Sequence, residues 1–426
     1  MALDRNMQMA RRIAEKVASH GGRTFFVGGF VRDRLMGKEN KDIDIEIHGI
    51  LPETLEHILN SLGKMTEMGA SFGIFGLKGY DLDIAMPRKE EATGRGHKDF
   101  TVFVDPFLGT YKAALRRDFT MNAMMQDVLT DEVVDHFGGI ADMKKGVLRH
   151  VNQDTFVEDP LRVLRAAQFA TRFGFQVAPE TVELAKTMDL TALARERILG
   201  ELEKALLKAE KPSIFFEEMV KMEQMKDWFP EIDALHGELD VNGADLWKYT
   251  TQMLDACAKV RGHVGEPLQF MLLALTHALP SVKVRQTFLE RVTNENKVMK
   301  YVNNMAPLYQ EPKRLFLEQA DETTTNTLFD KALVPKELAL FAVIVDGVKC
   351  GQENILFEAF LQERLIVFER VMAKPFVMGA DLIKAGLKPS KSFSQILAYA
   401  HKLRLAEVDK AEALAQTLTY AKEKNL

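Results

Sequence analysis

Hydrophobic and polar positions change rhythm early in the chain. Residues 1–22, MALDRNMQMARRIAEKVASHGG, spread apolar and charged residues at helical spacing and predict an amphipathic helix. Thr24–Val27 is a short run of aromatic and β-branched residues, which predicts a buried strand. Gly28 and Gly29 end it, and Phe30–Met36 has helical character up to Gly37. The period then becomes two. Ile43, Ile45 and Ile47 fall on one strand face, and Asp42, Asp44 and Glu46 on the other. Leu51–Leu62 reads as a helix, and Phe72–Leu77 with Tyr80–Met86 as a hairpin across Lys78–Gly79. Pro87–Asp99, PRKEEATGRGHKD, is polar and glycine-bearing and reads as a mobile loop. Glu132–His136 and Gly146–Val151 look like short strands that close the sheet.

From Glu158 onward the rhythm is helical, and no strong strand alternation returns. Breakers such as Gly174, Pro179, Pro212, Pro230 and Pro267 divide it into successive helices. The fold class is therefore α+β: an N-terminal head with a small mixed β-sheet flanked by helices, then an all-α remainder. The 426 residues suffice for several domains. A net charge of −5 gives no global basic field, so any RNA contact must come from local patches. Cys257 and Cys350 lie far apart, without metal-ligand spacing, which fits a reducing, cytoplasmic compartment better than a disulfide or zinc scaffold. The opening residues contain no apolar signal core, and no apolar run approaches a membrane span, so neither export nor a membrane is expected.

Chemistry-bearing residues are concentrated in four stretches. A glycine pair between strand and helix, Gly28–Gly29, lets backbone N–H groups approach an anion where the helix dipole favours negative charge, although a tight turn needs the same pair. Asp42 and Asp44 place hard oxygen donors side by side. Two Mg²⁺ ions about 4 Å apart are a common device for in-line phosphoryl or nucleotidyl transfer. An edge strand with a solvated acidic face would show the same alternation. Together the two features make a nucleoside-triphosphate site. Asp81 and Asp83 alternate with Leu82 and Ile84, so an acid from this strand either joins the metal site or faces solvent.

In Arg116–Met124, RRDFTMNAM, Asp118 and Asn122 are four apart and would share a helix face beside Arg117. A carboxylate and an amide suit ribose hydroxyls and an arginine suits phosphate; a helix cap with a solvated arginine pair is the plainer reading. In Glu158–Phe175, EDPLRVLRAAQFATRFGF, Asp159–Pro160 starts a helix and Gly174 stops it. Asp159, Arg162, Arg165, Phe169 and Arg172 share one face of it. A carboxylate beside an arginine can meet the Watson–Crick edge of a base. A capped, salt-bridged face would use the same residues, but Phe169 argues against one that is purely solvated. Arg197 and Glu201, four apart in RERILGELEKALL, predict an intrahelical pair that braces this helix.

GGFVRDRLMG followed by DID, then RRDFTMNAM, EDPLRVLRAA and RERILGELEKALL, resemble the successive motifs of tRNA nucleotidyltransferases, the CCA-adding enzymes, whose head is shared by bacterial poly(A) polymerases. The resemblance implies a catalytic head at 1–150, a neck with a nucleotide-selecting helix at 151–210, a helical body at 211–334 and a tRNA-binding tail at 335–426. It implies Asp42 and Asp44 as catalytic ligands of two Mg²⁺ ions. Gly28, Gly29, Arg32 and Arg117, supported by Asp118 and Asn122, would serve triphosphate and ribose. Asp159 and Arg162, with Arg165 nearby, would act as an amino-acid template that selects CTP or ATP. One departure is Gln168, where the family often has arginine. Lys384, Lys388 and Lys391 stand where the family grips the tRNA elbow, or on a solvated helix–loop–helix. MLLALTHALP, with His277 followed by Ala278, lacks the His–Asp adjacency of a metal phosphohydrolase and predicts a core helix.

The activity implied is template-independent addition of C, C and A to the 3′ end of tRNA. The GRGH core of Pro87–Asp99 resembles a flexible loop of CCA-adding and A-adding enzymes that CC-adding relatives lack. An A-adding enzyme or a poly(A) polymerase is the first alternative. An inactive RNA-binding or nucleotide-sensing protein on the same head is the second.

Overall fold

The alternation around Asp44 becomes a central strand, and the rest of the head is arranged about it. In the computed structural model, residues 2–67, 74–92, 100–240, 243–424 and 426 are described, with the backbone alone at 2, 67, 90–92 and 100–102. The strands are β1 (Arg23–Val27), β2 (Ile43–His48), β3 (Met65–Glu67), β4 (Ile74–Leu77), β5 (Leu82–Ala85), β6 (Arg88–Ala92), β7 (Phe100–Val104), β8 (Met125–Asp127), β9 (Val133–Val134), β10 (Val147–Leu148) and β11 (Gln176–Val177). Seven of them form one sheet in the order β3-β4-β5-β2-β1-β8-β9. The pairing β2–β5 is parallel and the others in this sheet are antiparallel, so the sheet is mixed.

Helices α1 (Ala2–Ser19), α2 (Gly29–Leu35), α3 (Pro52–Leu62), α4 (Thr110–Leu115), α5 (Gly139–Lys145), α6 (Gln153–Phe156), α7 (Leu161–Phe173), α8 (Pro179–Lys186) and α9 (Arg195–Lys208) complete this part. Ile43, Ile45 and Ile47 enter a core with Ile13 and Val17 of α1 and Leu55 and Leu59 of α3. The opposite sheet face carries Phe25 and Met125, which pack with Ala113 and Ala114 of α4. Glu46 lies opposite Phe25 in the β1–β2 register and shares that covered face. The acidic face of β2 is therefore solvated only at its Asp42 end, and Glu46 is buried. The strand pattern alone does not distinguish a covered polar face from an open one.

Four details differ from the sequence expectation. Arg88–Ala92 is a strand, paired antiparallel with Phe100–Val104, where a loop was expected. RKEEA carries no apolar alternation, and its partner strand sets the register. The Gly94–His97 core lies outside the described residues. Gly146–Val151 does not close the sheet; β10 instead pairs in parallel with β11, so a strand does recur beyond Glu158. Two-residue strands are too short to show a period. The Arg116–Met124 motif is not an α-helix. The Phe119 N–H bonds the Asp118 carboxylate and the Thr120 N–H bonds the Arg149 carbonyl, leaving only a 3-10 turn at Thr120–Asn122. Arg197 and Glu201 bond other partners, described below, rather than each other.

Two compact units result. One comprises Met1–Ala209 with Ile214–Trp228, and the other Glu210–Ser213 with Phe229–Leu426. The second unit is built of helices, including Leu246–Val260, Pro267–Thr276, Pro335–Cys350, Ile355–Ala373 and Phe393–Leu405. Pro267–Thr276 is a core helix, as its apolar run predicts. His277 just after it is buried, its Nε2 lies 3.0 Å from the Tyr249 hydroxyl, and burial pushes its pKa down to about 4. Lys384, Lys388 and Lys391 are exposed around the turn between Gly379–Lys384 and Phe393–Leu405. Among the described residues no helix is long and apolar enough to cross a membrane.

Candidate active site

Asp42, Asp44, Gly28, Gly29, Arg32, Arg117, Asp118, Asn122, Asp159, Arg162 and Arg165 all line a single cleft of about 1020 Å³ in the first unit. That is ample for a nucleotide-sized ligand, since small-molecule sites span roughly 300–1,000 Å³. Gly28 has φ of 64°, a left-handed conformation that glycine adopts without strain. A Cβ there would sit 3.3 Å from Arg117 Nη1 and 3.9 Å from Asp44 Oδ2. The bare backbone of this turn therefore opens directly onto a cation and a carboxylate.

Asp42 is exposed at the entry to β2, and Asp44 is partly buried one pleat on. Parallel pairing sets Asp83 of β5 beside Asp44. Burial, then the Asp83 carboxylate and to a lesser degree Asp42, push the Asp44 carboxyl up to about 6 against the pull of Arg117. Burial and the neighbouring carboxylates thus outweigh the one nearby guanidinium, and a bound cation would favour the ionised form. The donor set, two aspartates at an open cleft, suits Mg²⁺, which takes one or two protein carboxylates and fills its shell with water and phosphate oxygens. Asp83 is exposed and outside the cleft lining, so it acts on Asp44 from the side.

Several site residues are bonded to one another. Arg32 is only 4% exposed. Its Nε donates to Asp33 Oδ1 at 2.8 Å and its Nη1 to Asn122 Oδ1 at 2.7 Å. Its guanidinium lies 4.7 Å from the Phe173 ring centre and 5.4 Å from that of Phe169. Asn122 Nδ2 donates to Asp118 Oδ1 at 3.0 Å, and Arg165 Nε to Asp118 Oδ2 at 2.7 Å. Burial by itself would raise the Asp118 carboxyl, but Arg165, Asn122 and the Phe119 N–H hold it below the usual value. A polar relay thus runs from α2 through the 118–122 turn to α7.

The α7 face forms as its spacing predicts. Asp159 Oδ1 accepts from the Leu161 N–H at 3.2 Å and Oδ2 from Arg197 Nη2 at 2.9 Å. Arg162 donates to the carbonyls of Thr155 and Arg116, the latter at 2.7 Å. Glu201 accepts from Lys204 at 2.8 Å and lies 3.9 Å from Arg165. Arg197 and Glu201 therefore brace α7 by separate contacts to Asp159 and Arg165, which replaces the intrahelical pair expected from their spacing.

Residues 24–149 match the family model described as the Poly A polymerase head domain, and residues 174–235 that described as a probable RNA and SrmB-binding site of polymerase A. Residues 24–149 of this chain are thus similar to the poly(A) polymerase head domain. A Multifunctional CCA protein of Nitrosomonas europaea is 37% identical over 261 residues, 59% of this chain and 60% of that protein. The chain spans about half to three fifths of the length of the curated relatives it matches. In fold it is similar to a CCA-adding enzyme solved with ATP, at TM-score 0.72 and 21% identity over 98% of this chain and 94% of that one. It is similar also to the Thermotoga maritima CCA-adding enzyme solved with tRNA, at 0.69 and 21% over 99% and 98%.

Within this head, spacing named Asp83 and Glu46 as acids on strand faces but did not give the place of either, Asp83 beside Asp44 and Glu46 buried. Those surroundings do not follow from alternation alone, because they depend on strand order and on what covers the sheet. Arg116, Arg172, Arg197, Lys204 and Lys208 add basic side chains to the cleft. Chain-wide charge hides them, since the total is −5.

Proposed function

We propose that this chain adds C, C and A in turn to the 3′ end of tRNA, using CTP and ATP, in the cytoplasm. The observation that carries the reading is the convergence of the glycine turn, the Asp42–Asp44 pair and the α7 face on one cleft. The identities of the relatives and fold neighbours support the choice of tRNA as the acceptor. In the reaction the terminal 3′-oxygen bonds to the α-phosphorus as the bond to pyrophosphate breaks. Gly28 and Gly29 offer backbone, and Arg117 offers a cation, to the triphosphate. Arg32, Asp118 and Asn122 form the floor that sets ribose and phosphate in place. Asp159, Arg162 and Arg165 present the face read by the base, while their bonds to Arg197, Glu201 and the 116 and 155 carbonyls hold that face in shape. Asp42 and Asp44 would hold two Mg²⁺ ions, which when bound lower the pKa of the attacking hydroxyl and offset charge on the leaving group.

The head would occupy 1–150, the neck 151–210, the body 211–334 and a tRNA-binding tail 335–426, with Lys384, Lys388 and Lys391 on RNA phosphates. Transcripts of tRNA ending before C, after C and after CC, each given CTP or ATP with Mg²⁺, test this reading. Addition of C to the first two and of A to the third is expected. Extension only of tRNA already ending in CC would make it an A-adding enzyme, and long A tails a poly(A) polymerase. No transfer to any transcript would favour the inactive, nucleotide-sensing alternative.

A further inference from the structure

Glu46 is a buried charge to which the nucleotide reading gives no task. It sits on β2 one pleat beyond Asp44, with its side chain 1% exposed. Burying a carboxylate is costly, and an apolar side chain in its place is often no worse for stability. The charge therefore suggests a partner that must be held. Glu46 Oε1 accepts from His48 Nε2 at 2.9 Å, and Oε2 from Arg117 Nη2 at 3.4 Å. Among the described residues it is the side chain to which the Arg117 guanidinium bonds. The other terminal nitrogen of Arg117 lies against the open face of Gly28, on the same side as Asp44 Oδ2. Arg117 thus stands between two carboxylates, one buried beneath it and one in the cleft. Without the buried one it could turn onto Asp44, which would take the cation from the triphosphate and occupy a metal ligand.

We propose that Glu46 is a positioning residue for the triphosphate site: it holds Arg117 over the Gly28 turn and away from Asp44. The inference rests on the nucleotide reading above and adds to it a residue outside the recognised motifs. A long side chain that must be ordered on binding weakens affinity by roughly 2- to 10-fold. ATP binding by the full chain, measured by calorimetry with Mg²⁺ and no RNA, is the test. Glu46→Ala and Glu46→Gln should each weaken binding by about that factor in the native chain and change nothing in the Arg117→Ala background, because a residue acting through Arg117 has no effect once Arg117 is gone. Melting curves check the fold, and the near-isosteric Glu46→Gln carries the test if Glu46→Ala does not fold. The same loss in both backgrounds, no loss, or tighter binding by Glu46→Gln would overturn the role of Glu46 alone. A native chain that does not bind ATP would overturn the nucleotide reading and this inference with it.

Discussion

At Asp44 the fold disfavours the ionised form relative to the unfolded chain. Its pKa is raised from 3.8 to about 6, first by burial and then by Asp83. The folded state therefore binds this proton more tightly than the unfolded chain does. The contribution of Asp44 to stability should rise as pH falls from about 7 through 6 and level off below 4. Glu46 and Asp118 act in the opposite sense, but only at lower pH, because their values are depressed. Melting of native chain minus Asp44→Asn in chelator, from pH 5 to 8, isolates the effect. Asp44→Asn should melt higher at pH 8, by roughly 2–4 °C for each kcal/mol relieved, and the difference should narrow toward pH 5 without vanishing there, because the unfolded carboxyl is still ionised above 3.8. Asp42→Ala and Asp44→Ala should each abolish nucleotide transfer in Mg²⁺ without loss of fold, assayed on tRNA transcripts. Arg162→Ala should relax the choice of CTP and ATP over UTP and GTP by about 5- to 150-fold, the value of a base contact of roughly 1–3 kcal/mol. Unchanged selectivity with lower overall rate would mean that Arg162 serves only the Thr155 and Arg116 carbonyls. Spacing made the aspartates and the α7 arginines legible. It could not show the place of Glu46, whose partner Arg117 is 71 positions away.

Between elements, the relay Arg32–Asn122–Asp118–Arg165 ties α2 to α7 across the floor of the cleft. Asn122 is its midpoint and is 5% exposed. Asn122→Ala would leave a buried donor on Arg32 and an acceptor on Asp118 without their partner, at a cost of about 1–3 kcal/mol each. The melting temperature should fall accordingly, and ATP binding should weaken with it. A loss of stability with ATP affinity intact would show that the relay does not shape the site. The helix α7 was legible because Asp159–Pro160 opens it, Gly174 closes it and its face repeats with helical spacing. The 116–122 segment was not. Its four-residue spacing suits a helix, but backbone bonds to Arg149 and Asp118 make a 3-10 turn that still brings Asp118 and Asn122 together. The short β6, β10 and β11 were illegible because each is defined by a partner rather than by its own pattern.

For the whole molecule, the switch from mixed α/β rhythm to helical rhythm located the sheet in the first part of the chain. The same reading could not place the ends of the compact units, because tertiary bonds set them. Gln224 Nε2 reaches back to the Ala185 and Met188 carbonyls, and the Trp228 indole to that of Leu190, so the first unit includes 214–228. In the second unit, replacing Lys384, Lys388 and Lys391 together by Ala should weaken tRNA binding and flatten its salt dependence by up to about 3 in log–log slope. ATP affinity should be unaffected, and an unchanged salt slope would remove these lysines from the RNA surface. The parallel ribbon β10–β11 has a consequence for synthesis. A ribosome delivers Leu148 before Val177, its partner in the register, and 177 − 148 leaves 29 residues to be made. At about 5–20 residues per second that takes roughly 1.5–6 s. Phe119 must wait as well, since it packs on Phe156 and Phe169. Each nascent head therefore passes through an interval in which Phe119 and Leu148 lack their apolar partners, and a chaperone that shields the emerging chain would find its target there.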